Sequence, residues 1–415
     1  MVISVMGLGF VGLTSALGFC SLGNKVYGFD KNPERLNTLK NNKIDFKEPY
    51  LPKIHAKYLN KKFFLDATLE TAVKESELIF LCVGSPCQES GEVDLSQITD
   101  AVKEIISVLP DDGKHRSIVI KSTVPPLTCK NSVEPLVRAS GISEERLSVA
   151  SNPEFLREGY CWEDFTNPGK IIIGVKDEEA KKQLLALYKP MKNAIHVFST
   201  NGAEFSKYLS NVMLSTLISM SNEFAAAADT FGDINIPAVF DALHDDSRLR
   251  NSGIASYIYP GCGFGGYCLP KDTKAFYAAM KNAGHDSKLI EEVLNINEEA
   301  AKRLSDKVTK NTNPSDSIGV LGLSFKPGSD DVRETPSAKL ISSLIAKGYK
   351  SIVAYDPIAI ESFKKLYPSL DITYVTSAKE VFEKCNNIVI ATAWPEFKSL
   401  DYTGKTVYDG RYILK

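Results

Sequence analysis

The segment Pro260-Gly261-Cys262-Gly263-Phe264-Gly265-Gly266-Tyr267-Cys268-Leu269-Pro270-Lys271-Asp272 puts four glycines ahead of a cysteine and a proline just after it. Pro270 suits the first turn of a helix, and the pattern continues to about residue 284. Cys268 is therefore expected on a flexible loop at a helix N-terminus, where the helix dipole lowers a thiol pKa and makes a nucleophile. Asp272 lies one turn further on and can face the same space. A buried structural cysteine in a glycine turn would fit the segment as well. Cys262 is a second candidate, but it precedes the glycine turn. Lys207 and Asn211 are spaced i,i+4 and share one face of a predicted helix. A buried ammonium there needs an anionic or polarised partner; the alternative is a solvated face. Glu154, directly after Pro153, and Glu158 would pair in the same way if their segment were helical, or would form a surface pair. Thr123 closes a predicted strand beside two prolines, at the end where parallel sheets bind ligands.

Elements that can hold such groups are legible along the chain. An apolar run over residues 2–6 leads into Gly7-Leu8-Gly9-Phe10-Val11-Gly12, a helical pattern, and a second strand ending in Asp30. Gly7 allows the tight turn, Gly9 lets a pyrophosphate approach the backbone, and Gly12 lets helix and strand pack closely. An acid at Asp30 binds ribose hydroxyls and repels a 2′-phosphate, so NAD is expected over NADP. Strand patterns at residues 77–83, 117–122, 146–150 and 170–175, separated mostly by helical patterns, point to a mostly parallel doubly wound sheet. Residues 202–231 read as one long helix stopped by Gly232, with Phe205, Leu209, Val212, Met213, Leu217, Met220 and Phe224 among its apolar positions. Such a helix is apolar on more than one side, so burial between domains or subunits is expected. Further helices run to about residue 310.

A repeat follows. Residues 3–10 reappear as residues 318–325, and the counterpart of Asp30 is Asp356. The second copy has Ser324 and Pro327 where Gly9 and Gly12 stood. It is a nucleotide-type fold without a standard dinucleotide turn, able to bind a different nucleotide or to serve as structure only. The expected fold class is therefore α/β, two Rossmann-like doubly wound domains joined by a long-helix central domain.

The 415 residues are 43% hydrophobic and 24% charged, with a net charge of −2, which excludes disorder and any global pull towards nucleic acid or anionic membranes. No apolar run approaches a membrane span, and the start of the chain reads as a strand and loop rather than a signal peptide. Eight scattered cysteines suit reduced thiols in a cytoplasmic protein. No metal site is expected, because neither a Cys-x-x-Cys pair nor a histidine cluster occurs.

The segment around Cys268 resembles the active-site motif of the nucleotide-sugar 6-dehydrogenases, the UDP-glucose/GDP-mannose dehydrogenase family. Five other segments resemble that family in the same order: residues 7–13, 122–125, 152–159, 203–211 and 322–333. The resemblance implies three domains, with NAD bound by 1–200, a dimerising helical part carrying the cysteine at 201–310, and a UDP-sugar domain at 311–415. It implies four-electron, NAD-dependent oxidation of the C6 hydroxyl of UDP-glucose to UDP-glucuronate through a cysteine thiohemiacetal and thioester. Cys268 would be the nucleophile, Lys207 and Asn211 would stabilise oxyanions, and Asp272, Glu154 and Thr123 would manage water and protons.

Implied cofactor contacts are Gly7, Gly9, Phe10, Val11, Gly12, Asp30, Arg35, Ser85, Thr123, Glu158 and Arg333. Implied substrate contacts are Glu154, Phe155, Leu156, Glu158, Lys207, Asn211, Tyr259, Gly265, Phe325 and Lys326. Arg248 would reach the neighbouring subunit's sugar, or is a surface arginine. A homodimer or higher even oligomer follows. Ser85 replaces a common family threonine, and residues 248–263 form a longer stretch than is usual, so GDP-mannose or a UDP-N-acetylhexosamine remains open as substrate. Residues 267–272 favour UDP-glucose. A two-electron reductase or an NAD sensor on the same domains is the reading from another class.

Overall fold

The computed structural model describes residues 1–250 and 252–414. It divides into two compact units, Met1–Leu209 and Ser210–Lys415.

In the first unit the apolar runs become strands of one sheet: β1 (Val2–Met6), β2 (Lys25–Phe29), β3 (Phe63–Phe64), β4 (Leu78–Leu81), β5 (Arg116–Ile120), β6 (Leu147–Ser151), β7 (Ile171–Gly174) and β8 (Ile195–Phe198). Their order is β3-β2-β1-β4-β5-β6-β7-β8. Every neighbouring pair is parallel except β6 with β7, which touch at Ser151 and Gly174. β4, β5, β6 and β7 are buried along their whole length, as continuous apolar runs in a covered parallel sheet must be. The order reverses at β1, flanked by β2 and β4, so a ligand crevice is expected beyond the carboxyl end of β1. Helix α1 (Phe10–Ser21) packs so closely there that a Cβ on Gly12 would lie 1.8 Å from Gly7 O. Helix α2 (Glu178–Tyr188), N-capped by Asp177, covers the far half of the sheet with Leu184, Leu187 and Tyr188.

The expected long helix is α3 (Thr200–Phe231), and the boundary between the units falls inside it. Gly232 ends it at φ +72°. Of the apolar positions named above, Val212 is buried within the chain and most of the others are not. Phe205, Leu209, Met213, Met220 and Phe224 are exposed, while Ser215, Ser219, Ser221 and Asn222 are buried. The small serines allow close packing and satisfy their own hydroxyls: Ser219 Oγ donates to Val293 O at 2.8 Å.

In the second unit, α4 (Cys268–Asn282) and α5 (Lys288–Lys310) precede a five-stranded parallel sheet. Its strands are β9 (Ile318–Leu321), β10 (Ile352–Tyr355), β11 (Thr373–Tyr374), β12 (Asn387–Ile390) and β13 (Thr406–Asp409), in the order β11-β10-β9-β12-β13. This matches β3-β2-β1-β4-β5, so the sequence repeat is a repeat of topology. The helix after β9, α6 (Pro336–Ala346), starts only after a long loop.

Candidate active site

In the first unit the turn after β1 is shaped for a dinucleotide. Gly7 has φ +88°, and a Cβ there would meet the backbone of Cys82 at 2.8 Å. At Gly9 a Cβ would meet only Arg35 Nη1, 3.4 Å away. Phe10 and Val11 open α1 half-buried, and no side chain caps its first N–H groups. Those orphan donors suit phosphate oxygens. Asp30 Oδ2 accepts from Leu8 N at 2.7 Å and Oδ1 from Asn32 N at 2.8 Å. Arg35 brackets this acid, its Nη1 4.0 Å from Asp30 and its Nε 3.1 Å from Asp45. The cradle therefore fits NAD. Ser85 is buried and donates to Thr123 O at 2.7 Å, so two of the expected cofactor residues are joined.

The same unit pairs Glu154 with Lys207. Both are buried, and Lys207 Nζ lies 3.1 Å from Glu154 Oε1. Glu154 Oε2 accepts from Leu156 N at 2.6 Å. Phe155 stacks under two cations, Lys170 at 4.4 Å and Lys207 at 5.2 Å. Residues 152–157 are irregular, so the helical pairing of Glu154 with Glu158 does not form. Pro153 and the strand end at Ser151 keep the chain extended there, and Glu158 sits half-buried in a turn.

The second unit holds the thiol. Cys268 is the first residue of α4 and is the exposed one of the eight cysteines. Asp272, one turn on, is fully buried and accepts from Asn211 Nδ2 and Lys271 Nζ, each at 2.5 Å. The loop ahead of Cys268 is held rather than flexible. Gly261 N donates to Asn222 Oδ1, Phe264 N to Asn297 Oδ1 (each 2.7 Å), and Gly266 N to Arg333 O at 2.8 Å. Its glycines permit contact. A Cβ on Gly265 would lie 2.5 Å from Glu334 O, and one on Gly266 would lie 2.9 Å from the Phe325 ring.

Arg333 stacks on Tyr267 at 4.3 Å and pairs with Asp331. Lys326 Nζ lies 5.5 Å from the Phe325 ring centroid. Tyr259 packs against Phe240 and donates to Tyr412 O, while Arg248 is exposed and paired with Asp246 at 2.6 Å. Cys262 is buried, and desolvation pushes its thiol pKa up.

Sequence reasoning missed Lys121 and Asn152, which are buried beside Glu154 and bonded to each other. A lone lysine closing the apolar run 117–121 was the available signal. It also missed Arg411, whose guanidinium packs on Gly261.

Models of the UDP-glucose/GDP-mannose dehydrogenase family match almost the whole chain. The NAD binding domain matches residues 1–192, the central domain 201–299 and the UDP binding domain 319–415. The UDP-glucose 6-dehydrogenase of Rickettsia bellii is 34% identical over 409 residues, 97% of this chain and 91% of that protein. The solved UDP-glucose dehydrogenase of Pyrobaculum islandicum superposes with a TM-score of 0.91 at 36% identity, covering 99% of this chain and 94% of that one. The UDP-D-ManNAc dehydrogenase of Pyrococcus horikoshii gives 0.85 at 29% identity, covering 100% and 96%.

Proposed function

The chain belongs to the UDP-glucose/GDP-mannose dehydrogenase family, NAD-dependent oxidoreductases of nucleotide sugars, and on that premise we propose that it oxidises the C6 hydroxyl of UDP-glucose to the carboxylate of UDP-glucuronate through a thioester on Cys268. The observation that carries this reading is an exposed cysteine opening a helix beside the buried Asp272, which a half-buried Asn211 holds, in a chain that also carries a dinucleotide cradle.

NAD supplies the hydride acceptor, twice per sugar. The chain's residues do the rest. Glu154, or a water it holds, takes the hydroxyl proton as the aldehyde forms. Lys207 and Asn211 donate to the developing oxyanion. The Cys268 thiolate adds to the aldehyde carbon, and the thiohemiacetal loses the second hydride to become a thioester. Water, deprotonated by Asp272 or Glu154 and oriented with Thr123, cleaves the C–S bond and returns the thiol.

Gly7, Gly9, Phe10, Val11, Gly12, Asp30, Arg35, Ser85, Thr123, Glu158 and Arg333 serve the cofactor in this reading. Phe155, Leu156, Tyr259, Gly265, Phe325 and Lys326 serve the sugar nucleotide. The roles divide over 1–200, 201–310 and 311–415. The exposed apolar strip of α3 suits a second copy of the chain, in a cytoplasmic homodimer or higher even oligomer to which Arg248 contributes across the interface. No helix among the described residues is long and apolar enough to cross a membrane.

The test is stoichiometry on a panel of UDP-glucose, GDP-mannose and UDP-N-acetylhexosamines. UDP-glucose is expected to give two NADH and one acid, and Cys268→Ser to abolish turnover while Cys262→Ser keeps most of it. One NADH with released aldehyde, or a wild-type rate in Cys268→Ser, would refute the thioester route. Preference for another sugar would move the substrate assignment and leave the chemistry.

A further inference from the structure

Lys121 has no task in that scheme, yet it is held beside the pair that does. The residue directly follows β5 and is 5% exposed. Its ammonium donates to Asn152 Oδ1 at 3.1 Å and to Asn152 O at 3.4 Å, both uncharged acceptors. Neutral acceptors offset only part of the desolvation of an ammonium, and an apolar residue of similar length is often the more stable choice. The charge at Lys121 is therefore poorly explained by stability.

Its placement suggests a use. Asn152 is held on every side: its N donates to Ile120 O at 2.8 Å, its Nδ2 to Ile172 O at 2.8 Å, and Tyr188 Oη donates to its Oδ1 at 2.5 Å. Pro153 follows, with a fixed φ, and then Glu154. Lys121, Asn152, Glu154, Phe155, Lys170 and Tyr188 line one cleft of about 80 Å³. The ionisable groups around it are Cys82 beyond β4, Glu154 beyond β6, Lys170 before β7, Tyr188 on α2, Lys207 on α3 and Asp164 on the helix Cys161–Thr166. Burial lowers the pKa of Lys121, Cys82 and Glu154 draw it back up, and Lys207 lowers it further.

We propose that Lys121 is a positioning residue for Glu154: its buried positive charge keeps that carboxylate ionised and ready to accept a proton, and through Asn152 it fixes the segment that presents it. The inference rests on the reading that Glu154 handles protons. Removing the charge would take a favourable partner from the Glu154 carboxylate, so the acid limb of the kcat profile would move to higher pH.

The experiment is kcat against pH, with UDP-glucose and NAD, for the native enzyme, Lys121→Met, Lys121→Gln, Lys121→Arg and Glu154→Gln, with a thermal midpoint for each. Lys121→Met and Lys121→Gln should displace the acid limb upward by roughly one unit, about a tenfold loss at its foot against about threefold or less on the plateau. Lys121→Arg, which keeps the charge, should leave the limb in place, and the midpoint of Lys121→Met should not fall. Equal fractional loss at every pH, or an arginine variant displaced as far as methionine, would overturn the proposal while an impaired Glu154→Gln left the reading of Glu154 standing. A Glu154→Gln enzyme with native plateau kcat and native acid limb would defeat that reading itself, and the role of Lys121 with it.

Discussion

The turns after β1 and β9 descend from one pattern and do opposite things. Both start with a glycine in the left-handed region, Gly7 at φ +88° and Gly322 at φ +96°, whose N–H bonds the end of the next strand. Both place an aspartate at that strand's end. After β1 the helix begins at once, its first N–H groups uncapped, and Asp30 accepts two backbone bonds while keeping 12% of its side chain exposed. After β9 a long loop intervenes, and Asp356, 1% exposed, is saturated. It accepts from Leu323 N, Ser324 N, Ser324 Oγ, Ile358 N, Ala359 N and Trp394 Nε1. An acid whose lone pairs are all used inside the fold cannot read a ribose. The same residue at the same topological point keeps an open edge in one copy and is an internal brace in the other. The difference lies in loop length and in a serine and tryptophan that turn inward.

The largest effect that would test this contrast is Asp356→Ala. It strands several buried donors and should lower unfolding free energy by about 3–5 kcal/mol, against about 1 kcal/mol for Asp30→Ala, read by urea denaturation. Equal losses would break the comparison.

Buried carboxylates can also be left short of partners, and Glu204 is the case in the first unit. Its Oε1 accepts from Cys129 N at 2.8 Å, while its Oε2 has no partner among the described residues. Burial pushes its pKa up from 4.5 to about 7. The folded state thus favours the protonated form. The contribution is present below about pH 4.5 and is lost as pH rises through about 7, on the order of 3 kcal/mol. Glu204→Gln should remove that slope from stability-versus-pH curves. His55, buried and lowered to about 4, acts in the opposite sense and cancels in the difference. An unchanged slope would show that Glu204 ionises freely.

Next in size is Gly9→Ala. The space at Gly9 is bounded only by Arg35 Nη1, at an ordinary contact distance of 3.4 Å, so the fold should hold, yet the methyl group would occupy the approach of the pyrophosphate. The KM for NAD should rise about thirtyfold, ~2 kcal/mol, with little change in thermal midpoint. Ser324→Ala in the second copy should leave it unchanged. The smallest effect concerns Asp30 and the choice of cofactor. NAD should exceed NADP in kcat/KM by at least about tenfold, ~1.4 kcal/mol, and Asp30→Ala should narrow the gap. Equal use of both cofactors by the native enzyme would remove the carboxylate from cofactor selection.

Much of this is legible in the sequence. Gly7, Gly12 and Asp30 announced their geometry because glycine roles and strand ends are local. The helix start at Cys268 and the stop at Gly232 were legible for the same reason. The pairing of Glu154 with Glu158 failed because i,i+4 spacing has meaning only inside a helix, and Pro153 leads out of a strand instead. Which face of α3 is buried within one copy of the chain was not legible, because periodicity ranks faces by hydrophobicity and does not say whether a face meets the same chain or another. The chain buried the face with serines small enough to pack. Lys121 escaped notice because a lysine at the end of an apolar strand usually reaches solvent.

What the sequence by itself determined was what a residue and its near neighbours set: that the marked apolar runs of the first sheet and the repeat become strands, where the helices at Cys268 and Gly232 start and stop, where only glycine fits, and that the fold unit occurs twice. Tertiary structure alone decided which charges meet. Lys207 finds Glu154 across 53 residues, and Asn211 finds Asp272 across 61. Such contacts depend on how sheets and helices pack, since the backbone dihedrals between the partners all contribute to the distance. Tertiary structure also decided that Asp356 faces inward while Asp30 keeps an open edge, because lone pairs are filled by whichever donors the surrounding loops bring within reach.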